Sequence, residues 1–175
     1  VANPPESMTP GRELFEAADS LRQLGLLMRS KGDYQRARQY LTSSLEKVEN
    51  WANIENQMFQ DEISRQIAFI LWHLGWLSIA TNQLSEAEKY SRRALELSDI
   101  SINVYNHLCI LKWSLLLKGH LKEARELNER ETELSSKMTA SSTELSLYLE
   151  SLSDLFSIQY LSGEYGQAIQ TIERP

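Results

Sequence analysis

Cysteine occurs once in 175 residues, which rules out an internal disulfide and argues against a zinc site built on thiolates. With 4 Pro and 7 Gly, roughly half of average usage, there are few turn residues for a multi-stranded β fold. Basic residues are outnumbered, 18 Lys+Arg against 24 Asp+Glu for a net charge of −6. That balance is wrong for a nucleic-acid partner, whose affinity comes from neutralising phosphates. Apolar runs are short. The longest, Ile67 to Ala80, is interrupted by His73 and Ser78 and falls below the roughly 18–20 residues that cross a bilayer, so no membrane association is expected. No basic stretch leading into an apolar core opens the chain, so a cytoplasmic location is expected. The first residue is Val, which suggests an excised piece.

Catalytic and metal-binding patterns are also missing. His73, His107 and His120 are not one helical turn apart, and no HExxH, Gly-rich phosphate loop or nucleophile elbow occurs. No enzyme activity, metal or cofactor is therefore expected. Glu123, Glu126, Glu129, Glu131 and Glu133 alternate with Lys122, Arg125 and Arg130, a mixture that reads as a solvated, salt-bridged helix face. Cys109 has no obvious cationic neighbour and reads as an inert thiol.

What the sequence does contain is a repeat. Four tetrapeptides break the helical patterning: Lys31-Gly32-Asp33-Tyr34, Thr81-Asn82-Gln83-Leu84, Lys118-Gly119-His120-Leu121 and Ser162-Gly163-Glu164-Tyr165. Each has Gly or Asn second, the residues that enter left-handed backbone cheaply and end helices. Three residues after each comes an alanine: Ala37, Ala87, Ala124 and Ala168. A small side chain at a fixed distance from a tight turn lets two antiparallel helices approach closely. Upstream, Leu24, Leu74, Leu111 and Leu155 each precede their alanine by 13 residues. Apolar partners sit three or four residues away (Leu21 and Met28; Leu71; Leu108 and Leu115; Leu152), the spacing of amphipathic helices.

This pattern resembles the tetratricopeptide repeat: Leu-Gly, a tight turn, an alanine, then small or apolar positions. The match is best from Leu71-x-x-Leu74-Gly75 through Ala87-x-x-x-Ser91-x-x-Ala94-Leu95, and nearly as good from Leu21-x-x-Leu24-Gly25 through Ser44-Leu45. Lys112 and Phe156 replace the glycine in the third and fourth units, and Glu131 replaces a later small residue. The resemblance implies an all-α chain, a right-handed α-solenoid of about four helix-turn-helix repeats over 11–175 after a linker at 1–10. The spacing predicts helices over 11–31, 34–50, 54–81, 84–97, 101–118, 121–137, 141–162 and 165–173. Asp99, Ser101, Ser141 and Ser142 are candidate caps. The unit spacing exceeds the standard repeat, and the extra residues between the first two units are expected within Trp51 to Gln66, lengthening the flanking helices. No polar cap closes the last repeat, so a fragment of a longer array, or a homo-oligomer through uncapped ends, is expected.

In arrays of this family the first helix of each pair lines a concave, binding surface. Helical spacing places Phe69, Trp72, Trp76 and Ile79 on that surface in the second unit. The matching positions are Arg22, Leu26 and Arg29 in the first unit, and Asn106, Cys109, Trp113 and Leu116 in the third. Two readings of the rings stay open: core residues of curved helices, or a trough for a partner. A clamp of Lys, Asn and Arg, by which some modules of this family grip acidic tails, is missing at Leu26, Trp76, Cys109 and Trp113. The expected function is a protein–protein interaction module, a scaffold that holds an apolar or amphipathic protein or peptide. The alternative is a ligand-sensing, regulatory arm of a larger signalling protein of ATPase or transcription-regulator type.

Overall fold

The computed structural model describes residues 10–54, 59–97, 101–137 and 142–173. Eight helices follow one another: α1 (Pro10–Ser30), α2 (Tyr34–Ile54), α3 (Gln60–Ala80), α4 (Leu84–Leu97), α5 (Ser101–Leu117), α6 (Leu121–Ser136), α7 (Ser142–Leu161) and α8 (Tyr165–Ile172). They pack in sequential pairs, α1 on α2, α3 on α4, α5 on α6 and α7 on α8, and each pair packs on the next. The expected linker lies outside the described residues except for Pro10, which opens α1, a position where a missing N–H costs nothing. Asp99 and Ser141 also lie outside them, while Ser101 and Ser142 open α5 and α7.

All four tetrapeptides form the same turn. Gly32, Asn82, Gly119 and Gly163 have φ of 77°, 56°, 80° and 78°, the left-handed region expected of them. The third residue of each turn then donates its N–H to a carbonyl five residues back: Asp33 to Met28 at 3.0 Å, Gln83 to Ser78 at 2.7 Å, His120 to Leu115 and Glu164 to Gln159 at 2.9 Å. Its own carbonyl accepts from the N–H of the repeat alanine, at 2.9–3.1 Å in all four units. The turn thus closes one helix, opens the next and sets the alanine facing the helix just left. All four alanines are buried.

The glycines after the inner leucines are sites of close approach. A Cβ at Gly25 would come within 2.7 Å of Leu41 Cγ and 3.3 Å of the Ala37 carbonyl, inside the first pair. At Gly75 it would reach 3.0 Å from Ile110 Cγ2, in the following pair. Between the first two units the added length extends α2, which runs to Ile54, beyond the expected 50, whereas α3 begins at Gln60 rather than at the expected 54. Trp51 explains the difference. It is buried, with its ring 5.2 Å from Phe15 edge-on and 6.2 Å from Phe59, so the final turn of α2 is held by packing that local sequence does not show.

Two expectations about burial need correcting. Leu24 was expected in the core stripe of α1, but it is exposed; Ala18, Gly25 and the partly buried Leu14, Phe15 and Met28 pack inward instead. Glu131 was expected in a solvated face but is fully buried. Its Oε2 takes a hydrogen bond from Lys112 Nζ at 2.7 Å, and the same ammonium donates to Asp154 at 2.5 Å. Lys112 and Glu131 are the two residues that break the repeat pattern in the third unit. They answer each other: a long cation at the glycine position is accommodated because an anion stands at the small-residue position. Burial alone would lower the Lys112 pKa, but Glu131 and the hydrogen bond to Asp154 lift it above its ordinary value, so the ammonium persists.

Two stability outcomes follow. Gly25→Ala should cost about 1–3 kcal/mol through overpacking against Leu41, whereas Gly166→Ala, with open space around it, should be neutral or gain up to ~1 kcal/mol, both read by urea denaturation. Lys112→Met should cost about 3–5 kcal/mol by stranding Glu131, with much of that recovered in the double variant Lys112→Met/Glu131→Met. A double-mutant cycle measures the coupling.

Candidate functional site

The first helices of the first two pairs bring four of the expected residues, Arg22, Arg29, Phe69 and Trp72, together around His73. Across α1 and α3, the Arg22 guanidinium carbon lies 5.2 Å from the centroid of the Phe69 ring. Arg22 is held there from its own helix by Asp19, one turn back. Seven residues further along α1, Arg29 donates from an Nη to His73 Nδ1 at 3.0 Å. His73 meets Phe69 edge-on, centroids 4.5 Å apart, and Trp72 at 4.6 Å; Phe69 and Trp72 are 6.0 Å apart. One continuous cluster therefore contains two arginines, two aromatic rings and a buried imidazole.

The rings differ in exposure. Phe69 is exposed, and Trp72, Trp76, Ile79, Trp113 and Leu116 are half-buried, as are Leu26 and Asn106. These side chains are seated on the core but not sealed within it. Trp113 has the Lys112 ammonium 5.9 Å from its ring centroid, so the buried ion cluster lies beside that indole. Cys109 is the exception among the expected residues. It is buried and leaves the set that a partner could touch. Burial pushes its thiol up to about 12, so it stays protonated and inert near neutral pH, as expected. The second face of α3 is covered by the chain itself: α3 contacts α2, α4 and α5, and Ile63, Ile67, Leu71, Leu74 and Leu77 are buried.

His73 is a buried hydrogen-bond partner of Arg29. Burial is the main reason its pKa falls to about 4, with Arg29 and then Arg22 adding repulsion. The imidazole is thus neutral at pH 7 and can accept the Arg29 proton at Nδ1. Sequence patterning found His73 but could not find the Arg29 contact, which joins residues 44 apart. Among the described residues no group of three His, Cys, Asp or Glu could hold a metal ion. No helix among them is long and apolar enough to cross a membrane. A separate polar cleft of about 400 Å³ lies between α6, α7 and α8, lined by Arg125, Glu129, Thr132, Gln159 and Thr171 among others.

His107 on α5 is buried as well, and burial lowers its pKa to about 4. Between pH 6.5 and 4 the unfolded chain binds a proton at each of these two histidines that the folded chain refuses. Stability should therefore fall with decreasing pH by about 1.4 kcal/mol per unit per histidine in that window, and be independent of both above it. Urea unfolding at pH 7, 6 and 5 measures the slope, and His107→Leu should remove one histidine's share.

Comparison with known proteins agrees with this architecture. Residues 70–100 match the family model of the tetratricopeptide repeat. No curated protein matches the chain significantly. Among solved structures, the C-terminal TPR-containing domain of a Plasmodium falciparum protein described as an FK506-binding protein is 15% identical, covering 88% of this chain and 97% of that one with a TM-score of 0.64. A Podosopora anserina protein with nearly identical TPR-like repeats, described as a kinesin light chain, is 19% identical, covering 97% of this chain and 75% of that one with a TM-score of 0.68. At these identities the likeness is one of fold.

Proposed function

We propose that the chain is a tetratricopeptide repeat protein, and that it is a non-catalytic interaction module holding an apolar or amphipathic protein segment against the α1–α3–α5 face. The observation that supports this reading is the cluster of exposed Phe69 and half-buried Trp72 with Arg22 and Arg29, together with the half-buried Trp76 and Ile79 further along α3 and Trp113 and Leu116 on α5. Large aromatics and arginines are the side chains that most often dominate binding energy, because they bury much area at little entropic cost.

Each part has a role in such binding. The rings supply area that is desolvated on contact. Arg29, fixed by a neutral His73, is ordered before a partner arrives, so less rotamer freedom is lost on binding. Arg22, braced by Asp19 and Phe69, is ordered likewise and favours acidic residues at that end of the segment. The expected partner is therefore a segment with an apolar stripe and carboxylates toward α1.

An array of amphipathic peptides differing in the placement of their acidic residues tests the reading. Binding should shift the tryptophan emission to shorter wavelength as the indoles lose water. Trp76→Ala or Trp113→Ala should weaken the best peptide by about 1–2 kcal/mol or more while leaving helical circular dichroism intact. Unchanged affinity in both variants would place the binding surface elsewhere.

A further inference from the structure

The helix register that carries the rings on α3 recurs in the fourth unit with different chemistry. Counted from the inner leucines, the positions of Phe69, Trp72, Trp76 and Ile79 correspond to Glu150, Ser153, Ser157 and Tyr160 on α7, all exposed. On α1 they correspond to Asp19, Arg22, Leu26 and Arg29, all half-buried. The four hairpins share one turn geometry, so equal registers face the same side. This register stays accessible even where units pack on both sides. On α3 and α5, each flanked by a unit before and after, every one of these positions except Cys109 is exposed or half-buried. Its openness on α1 and α7 is thus a property of the face.

Charge on this face is confined to its two outer helices and differs in sign between them. On α1, Asp19 is paired with Arg22, which leaves Arg29 in excess, held against the imidazole of His73. On α3 and α5 no position of the register is charged. On α7 the charge is Glu150, and its own unit has nothing to offset it. Between Lys137 and Arg174 the sequence has no Lys, Arg or His, but it has Glu144, Glu150, Asp154, Glu164 and Glu173. Two of these acids reach cations of the third unit, Asp154 to Lys112 and Glu164 to Arg125. Glu150 instead lies exposed beside the hydroxyls of its register.

We propose that the segment held on this face is bipolar and lies across the helices in one orientation, with carboxylates at α1, an uncharged apolar middle over α3 and α5, and a Lys or Arg at α7. This inference rests on the reading of the face as a binding surface and adds the polarity of the occupant. Exposed ion pairs contribute little one at a time. The reversed orientation, however, sets like charges together at both ends, so the same few contacts that add modest affinity reject the wrong direction twice. Neighbouring first helices in side-chain contact lie on the order of 10 Å apart, so α1 and α7 are about 30 Å apart, and an extended segment of about nine residues spans them.

Four peptides of about nine residues test this. They have blocked termini, share one apolar centre and differ only in their ends: acidic–basic, acidic–acidic, basic–basic and neutral. The acidic–basic peptide should bind most tightly, about threefold to tenfold better than either like-charged peptide at low ionic strength, with the difference shrinking as salt is added. Glu150→Lys, at an exposed position and checked for unchanged helicity, should make the acidic–acidic peptide the preferred one. Glu150→Gln should bring those two peptides to about equal affinity. Four equal affinities, each weakened by Trp76→Ala, would leave the binding surface standing and overturn its polarity. A preference that survives Glu150→Lys unchanged overturns it as well. Binding by none of the peptides, or binding insensitive to both Trp76→Ala and Trp113→Ala, overturns the underlying reading and this inference with it.

Discussion

Everything in this structure depends on how closely two antiparallel helices approach just after a left-handed turn. Gly32, Asn82, Gly119 and Gly163 reverse the chain in one step, and the buried alanine three residues beyond the turn leaves no side chain to hold the helices apart. Because the same backbone hydrogen bonds form in all four turns, each pair leaves its turn in the same geometry. The faces presented to the next pair therefore recur, and stacking follows from the hairpin rather than from any separate instruction.

Where the sequence departs from its own repeat, charge compensates for lost fit. The third unit gives up a glycine and a small residue and in return buries Lys112 with Glu131, anchored also by Asp154 of the fourth unit. Such a pair repays its desolvation only in good geometry, so its gain lies in registering α5, α6 and α7 against one another more than in raw stability. Its placement next to Trp113 connects the interior to the aromatic strip, so the most exacting polar contact of the core and a candidate binding residue share one turn of α5.

Much of the fold was legible because it is local. Turn residues at fixed offsets and leucines at helical spacing marked eight helices, whose ends lie within about one residue of expectation except at the α2–α3 connection, where they differ by four and six. Part of the candidate site was legible for the same reason: helical spacing put Phe69, Trp72, Trp76 and Ile79 on one stripe, and these remain at least partly accessible. The misses share a cause too. Glu131 sits among Glu126, Glu129 and Arg130 and looks like any other charge on that helix; only the approach of Lys112 from α5 makes it an interior residue. Leu24 has the spacing of a core residue, yet it is exposed where Leu74, Leu111 and Leu155 at the same offset are buried. Cys109 lies on the expected stripe, but neighbouring side chains close over it.

The sequence by itself determined the number of hairpins, the position of the turn inside each and the stripe of aromatic residues on α3, because each depends on backbone preferences and spacings within a single helix or turn. The tertiary structure alone decided which charges are interior, which leucines face solvent and how Arg29 is held by His73. Those outcomes depend on distances between residues about 20 to 45 positions apart, and such distances are set only when the helices pack, within a pair or between one pair and the next.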